Sequence, residues 1–264
     1  MYLVDYHVHS NNSFDSKVSV REICETAIEK GINEICITDH FAVKEGLPSN
    51  GFINFKKYSD EIKECKELFK DKIKIKVGLE ICEPHENEEE LSRIINNIPF
   101  DFILGSVHNF DYNIGLYKYM DNNSKEESYR RYFEEVNKVC QSPFVDVVAH
   151  LDLMKRYAFS KHGNYDFNEY KELLTEVLNN IIVNGKGIEV NTSTLRSTVQ
   201  ETMPSINILQ LYYDLSGRII TVGSDGHKLE DIGAGIVRSI EILKEIGFEE
   251  IYTFKNRKPE KIKI

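Results

Sequence analysis

Seven short, largely apolar segments alternate along the chain with helical patterns. The segments cover 2–8, 34–38, 73–79, 101–107, 145–149, 187–190 and 219–222. Most are rich in β-branched residues, and several are nearly continuous apolar runs, as expected of strands covered on both faces. Helical patterns fill the gaps. Ser19-Val20-Arg21-Glu22 has the form of a capping box and leads into a stripe of Ile23, Ala27 and Ile28 that stops at Gly31. Further helices are expected over 55–69, 88–98, 126–140, 168–184 and 235–246, with Gly185 and Gly247 placed as C-terminal stops. Alternation of this kind implies right-handed crossovers and a parallel sheet. Seven units suggest a closed or nearly closed (β/α) barrel, with an open doubly wound sheet as the alternative. The length of 264 residues suits one α/β domain over 1–264. The lysine-rich stretch from Lys255 to Lys263 reads as a solvated end.

The ends of the apolar runs are where polar chemistry gathers. Six of the eight histidines fall in five clusters: Asp5-Tyr6-His7-Val8-His9, Thr38-Asp39-His40, Gly105-Ser106-Val107-His108, Val148-Ala149-His150 and Gly223-Ser224-Asp225-Gly226-His227. Side chains alternate along a strand, so His7 and His9 point the same way, roughly 7 Å apart at the backbone. Two imidazoles at that spacing can converge on one ion. Glu80 follows the third strand and has two oxygens with which to bridge metals. Asp225 and His227 repeat the two-residue spacing, and Asp15 offers a further oxygen from the loop after the first strand. A single strand-end histidine is ordinarily a hydrogen-bonded core residue. Six of them together with Glu80 and Asp225 point to a metal site instead.

Bulk properties exclude several classes. The net charge of −10 argues against a broad nucleic-acid surface. Five scattered cysteines without a C-x-x-C pair argue against a disulfide framework or zinc finger and favour a reducing cytoplasm. The chain opens directly into a strand-like segment, with no signal-peptide pattern and no apolar run long enough to span a membrane.

Six motifs in order, D-Y-H-V-H-S, I-T-D-H, G-L-E-I, G-S-V-H, V-A-H-L-D and G-S-D-G-H, resemble those of the polymerase and histidinol phosphatase (PHP) family. The stretches His150 to Tyr157 and Glu189 to Arg196 bring the chain nearest the stand-alone histidinol-phosphatases of that family. The resemblance implies a distorted seven-stranded (β/α) barrel with two or three divalent ions: zinc, manganese or iron. It implies that His7, His9, Glu80 and Asp225 hold the first metal. Glu80, His108 and His150 would hold the second, and Asp15, His40 and His227 the third. Gly226 stands where the family commonly has alanine, and Asp15 where some members have histidine. The implied activity is hydrolysis of L-histidinol phosphate to L-histidinol and phosphate by a metal-bridged hydroxide, in histidine biosynthesis.

Three divalent ions, offset by three carboxylates and one hydroxide, leave a charge of roughly +2, which suits a phosphate monoester dianion. Glu80 and Asp225 are therefore expected to be catalytic through the metals. Arg156, whose planar guanidinium can clamp phosphate in a bidentate manner, is expected to be catalytic through the substrate. Arg196, Tyr117 and His85 are the other expected substrate contacts, and Tyr157 is placed near the pocket. The general acid for the leaving alkoxide stays open, as does the oligomeric state. The competing readings are a PHP phosphoesterase acting on nucleotides or another small phosphomonoester, an amidohydrolase, and a non-catalytic metal-dependent module. The amidohydrolase reading lacks the bridging lysine that chemistry usually needs at a mid-barrel strand end. The complete ligand set argues against the non-catalytic module.

Overall fold

Strands β1 (Val4–Val8), β2 (Glu34–Ile37), β3 (His40–Ala42), β4 (Lys74–Cys82) and β5 (Phe102–Ser106) carry the first half of the chain. The second half adds β6 (Asn109–Phe110), β7 (Ile114–Gly115), β8 (Val147–Val148), β9 (Gly187–Asn191), β10 (Ile220–Gly223), β11 (Glu250–Lys255) and β12 (Lys258–Lys263). Every residue of β1, β2, β5, β9 and β10 is buried, which accounts for their continuous apolar runs. The computed structural model describes residues 1–110 and 114–264. Its main sheet runs β1-β2-β4-β5-β8-β9-β10, with β3 also on β4, and all of its pairings are parallel. The last strand meets the first at their C-terminal ends, where His9 N–H donates to Gly226 O at 2.9 Å and Asp225 N–H to His7 O at 2.8 Å. The result is a nearly closed barrel containing all seven expected strands.

Around it lie α1 (Val20–Glu29), α2 (Phe55–Leu68), α3 (Glu88–Ile95), α4 (Leu116–Asn122), α5 (Lys125–Val139), α6 (Met154–His162), α7 (Phe167–Val183), α8 (Ile206–Asp214) and α9 (Ile236–Ile246). The capping box forms at α1: Glu22 N–H donates to Ser19 Oγ at 3.2 Å, and Ser19 N–H to Glu22 Oε2 at 2.9 Å. Gly247 ends α9 in the left-handed region at φ 117°, which favours glycine. Helices α4, α6 and α8 lie outside the expected set; each is at most nine residues long and has no side chain capping its first turn. Among the described residues no helix is long and apolar enough to cross a membrane.

Two differences bear on the site. The second strand does not stop at Thr38. It kinks there and resumes as β3, which pairs with the far half of β4 and sets His40 opposite Glu80. Asp39 holds the kink, since its buried carboxylate accepts Ser10 N–H at 2.5 Å and Ser10 Oγ–H at 2.6 Å. The lysine-rich end is not a free tail. Residues 250–263 form the antiparallel hairpin β11–β12, turned through Asn256 and Arg257, both at positive φ. Its lysines face solvent, but Ile251, Thr253 and Phe254 are buried. The Phe254 ring packs 4.8 Å from that of Phe102 at the start of β5, and its carbonyl accepts Lys76 Nζ at 2.7 Å. The hairpin therefore plugs the N-terminal end of the barrel and leaves the C-terminal end for the polar clusters.

Candidate metal centre

Strand direction brings the clusters together. His7 lies on β1, with His9 just past its end. Glu80 lies on β4 beside His40, and His108 follows β5. His150 follows β8, and Asp225 and His227 follow β10. His150 at φ 24° and Asp225 at φ 55° sit in the left-handed region, a strained conformation for side chains of this size that turns them out of their strand lines. Asp225 is further placed by buried Asp5, which accepts Ser224 N–H at 2.8 Å, Ser224 Oγ–H at 2.6 Å and Gly233 N–H at 2.8 Å.

The nine expected ligands converge in overlapping groups whose donor atoms lie within 4.8 Å of one another: His7, His9 and Asp225; His7, Glu80 and His150; His9, Asp15, His40 and His227; and His108 with His40 and the Cys82 thiol. A four-coordinate ion held at about 2.1 Å keeps its ligand atoms about 3.4 Å apart. His7 Nε2 lies 3.0 Å from His9 Nε2, 3.0 Å from Glu80 Oε2 and 3.6 Å from Asp225 Oδ1, and His9 Nε2 lies 3.4 Å from each of those two oxygens. These edges fit one ion. Glu80 Oε1 meets His150 Nε2 at 2.9 Å and His108 Nε2 at 3.6 Å, so Glu80 presents one oxygen to each of two groups. Asp15 Oδ2 meets His227 Nε2 at 3.1 Å and His40 Nε2 at 3.3 Å. The first group is deeply buried, whereas Asp15 and His227 side chains are each 27% exposed, so the third group forms the rim.

Electrostatics prepare these groups for cations. Burial works against the Glu80 carboxylate, yet the imidazoles of His40 and His7 hold its pKa well below the usual range. Burial likewise opposes Asp225, and His7 and Arg156 more than compensate. Burial, reinforced by His227 and His40, pushes His9 down to about 3 and keeps it neutral with a free lone pair. His7 differs. Burial opposes its charge, but Glu189, Glu80 and Asp225 raise its pKa well above the ordinary value. Six imidazoles and three carboxylates facing inward are a donor set suited to zinc, manganese or iron.

Glu189 was quoted in the sequence only within its motif, without a role. It is a charged residue inside an otherwise apolar buried strand. That was the available signal. His7 Nδ1–H donates to its Oε1 at 2.6 Å, which leaves the His7 Nε2 lone pair facing the cluster. His150 N–H donates to Oε2 at 2.9 Å. Gly223 makes room, since a Cβ there would collide with Glu189 Oε1 and with the His7 Cβ. Both carboxylate oxygens must accept, so Glu189→Gln would set an NH2 group against one of the two donors. That variant should bind metal about 10–100-fold more weakly, measured by competition with a chromogenic chelator. Unchanged affinity would remove Glu189 from the centre. At Gly226 an added Cβ would meet Ile232 Cδ1 at 2.9 Å, Ser224 Oγ at 3.0 Å and the Ile232 backbone nitrogen at 3.3 Å, so alanine there requires its neighbours to shift.

A cavity of about 260 Å3 opens over the centre, lined among others by Phe14, Asp15, His40, Cys82, Arg156, Tyr157, Asp225 and His227. A larger one of about 840 Å3, between the loop after β3 and α3, contains none of the nine groups. Arg156 Nη2 donates to Asp225 Oδ2 at 2.7 Å and to Ser193 Oγ. Three expected substrate contacts lie elsewhere. Arg196 is engaged by Asp231 Oδ1 at 3.0 Å and Ser224 O at 2.9 Å. His85 turns to buried Glu135 at 3.0 Å. Tyr117 is 60% exposed on α4, outside the cavity lining. None of the three lines this cavity: Arg196 and His85 are engaged by protein acceptors, and Tyr117 stands on α4. Cys82, whose Sγ lies 3.7 Å from His40 Nδ1, is a cavity-lining neighbour that sequence reasoning counted only as a thiol.

A nearly closed (β/α) barrel with a histidine–carboxylate cluster at its C-terminal mouth defines a metal-site hydrolase class. The chain belongs to the PHP domain family, which matches residues 5–193. It is 33% identical to the histidinol-phosphatase of Lactococcus lactis over 268 residues, covering 100% of this chain and 98% of that protein. It is 30% identical over 247 residues to a probable histidinol-phosphatase of Thermotoga maritima, covering 94% of each. The fold superposes with a TM-score of 0.90, at 32% identity and 98% coverage of both chains, on the Lactococcus lactis histidinol phosphate phosphatase solved with zinc, L-histidinol and phosphate.

Proposed function

We propose that this protein hydrolyses L-histidinol phosphate to L-histidinol and inorganic phosphate, as a step of histidine biosynthesis. The observation that carries the reading is the clustering of nine metal-competent side chains, five of which line one cavity together with Arg156, in a chain alike over nearly its whole length to the Lactococcus lactis phosphatase. His7, His9, Glu80 and Asp225 hold the first ion. Glu80, His108 and His150 hold the second, and Asp15, His40 and His227 hold a third at the rim. Zinc is the first choice, with manganese or iron compatible with the same donors. Bound ions supply Lewis acidity and lower the pKa of water at the cavity floor.

The chain's own residues do the rest. Glu80 ties two groups of ligands together and stays ionised. Asp225 divides its oxygens between the histidines and Arg156. Arg156 uses Nη2 on the protein, and its Nε and Nη1 have no protein partner among the described residues, which leaves donors for phosphate oxygens. The five cysteines are free thiols, which suits the cytoplasm as the site of action.

A panel of phosphomonoesters tests the substrate. Histidinol phosphate should give the highest kcat/KM, ahead of nucleotide and sugar phosphates. A clear preference for a nucleotide would replace this substrate with that of a PHP phosphoesterase and leave the metal chemistry standing.

A further inference from the structure

The motif Glu189-Val190-Asn191-Thr192-Ser193 runs from the last buried residues of β9 into a short turn beside the centre. Three of its polar positions, Glu189, Asn191 and Ser193, join a circuit with residues from three other segments. His7 Nδ1–H donates to Glu189 Oε1 at 2.6 Å, and Asn191 Nδ2 donates to Glu189 Oε2 at 3.3 Å. Asn191 Oδ1 accepts Ser193 Oγ–H at 2.6 Å and Ser193 N–H at 3.0 Å. Ser193 Oγ accepts from Arg156 Nη2, which also donates to Asp225 Oδ2 at 2.7 Å. Asp225 Oδ1 lies 3.6 Å from His7 Nε2 and completes the ring.

The polarity of the hydrogen-bonded part, from Glu189 through Asn191, Ser193 and Arg156 to Asp225, is fixed at every step. A carboxylate only accepts, so Asn191 must turn its NH2 group to Glu189 and its oxygen to Ser193. The serine proton goes to that oxygen, and a serine lone pair is left for Arg156. Both Nη2 hydrogens of Arg156 are then committed, one to Ser193 and one to Asp225. Asn191 itself cannot drift, because it is fully buried and its backbone exchanges hydrogen bonds with Met203 at 2.7 and 2.9 Å.

We propose that Asn191 and Ser193 are positioning residues that hold the Arg156 guanidinium over the metal centre, where it meets phosphate. The proposal rests on the reading of Arg156 as the phosphate clamp. An arginine side chain carries much rotamer freedom, and a second fixed acceptor removes the freedom that Asp225 alone would leave it.

The test uses the zinc-loaded protein and four variants: Ser193→Ala, Ser193→Thr, Arg156→Ala and the Ser193→Ala/Arg156→Ala pair. Inorganic phosphate affinity, kcat/KM for histidinol phosphate and zinc content are measured on each. Ser193→Ala should lower phosphate affinity and kcat/KM about ten-fold, the scale of one hydrogen bond to a charged group, with zinc content at the wild-type value. Ser193→Thr, which keeps the hydroxyl, should stay near wild type and separates loss of the contact from misfolding. The double variant should be no worse than Arg156→Ala, because the serine acts only through the arginine. The positioning role is overturned if Arg156→Ala is impaired while Ser193→Ala matches wild type. It is also overturned if the two losses multiply, or if Ser193→Ala sheds zinc. If Arg156→Ala itself is unimpaired, the clamp reading fails first and takes the positioning role with it.

Discussion

Stripping metal from the protein with a strong chelator should lower phosphomonoester hydrolysis at least about 1,000-fold, and added zinc should restore it. The reason lies in what the chain offers without cations. Asp15 stands at the rim with Glu80 and Asp225 below it, and a phosphate dianion approaching them meets like charge. Elemental analysis of the active protein should find two or three ions per chain. Full activity with less than about one equivalent of metal would sink the assignment. His9→Ala should cripple the first position, because His9 Nε2 sits 3.4 Å from both Glu80 and Asp225. Zinc affinity should also weaken as the pH falls. In the metal-free protein burial opposes charge on His7 and His40, yet neighbouring carboxylates raise both well above the ordinary imidazole value. Those protons must leave before the nitrogens can ligate, so metal binding releases protons and is favoured at higher pH. A pH-independent affinity would show that these imidazoles are not ligands.

Replacing Arg156 by alanine should cost ~2–4 kcal/mol of transition-state stabilisation, the scale of a lost charge-stabilising donor. That corresponds to a loss of roughly 30- to 1,000-fold in kcat/KM. Lysine should recover only part, because it keeps the charge without the planar fork. Metal content should stay near wild type. Arg156 touches Asp225 through Oδ2, whereas Oδ1 faces His7 and His9 and keeps those neighbours in the variant. Metal stoichiometry and kinetics therefore belong on the same preparation. Normal turnover of the alanine variant would withdraw Arg156 from phosphate binding.

The seven parallel strands and six of the helices were legible because their signals are local. Continuous apolar runs mark strands buried on both faces, and the Ser19–Glu22 box and Gly247 mark helix ends. The kink that makes β3 was not legible, since it depends on Asp39 meeting Ser10 from another strand end. The terminal hairpin was hidden by its lysines. Its inward residues Ile251, Thr253 and Phe254 acquire meaning only once a barrel end exists for them to close. In the sequence Arg156 is expected as the phosphate clamp and Arg196 as a further contact, each close behind a motif. Only the tertiary structure shows that Arg156 lines the cavity while Arg196 is engaged by Asp231 and the Ser224 carbonyl.

The sequence by itself determined the class of fold and the identity of the inward-facing donors, because strand periodicity puts every strand-end histidine and carboxylate at the same mouth of a parallel barrel. The tertiary structure decided which of those donors share a position, which arginine faces the cavity, and that Glu189 locks His7 and His150. Those facts are distances between residues far apart in the chain, 182 positions for His7 and Glu189 and 212 for Asp15 and His227, set by barrel closure and by buried hydrogen bonds whose partners no local pattern specifies.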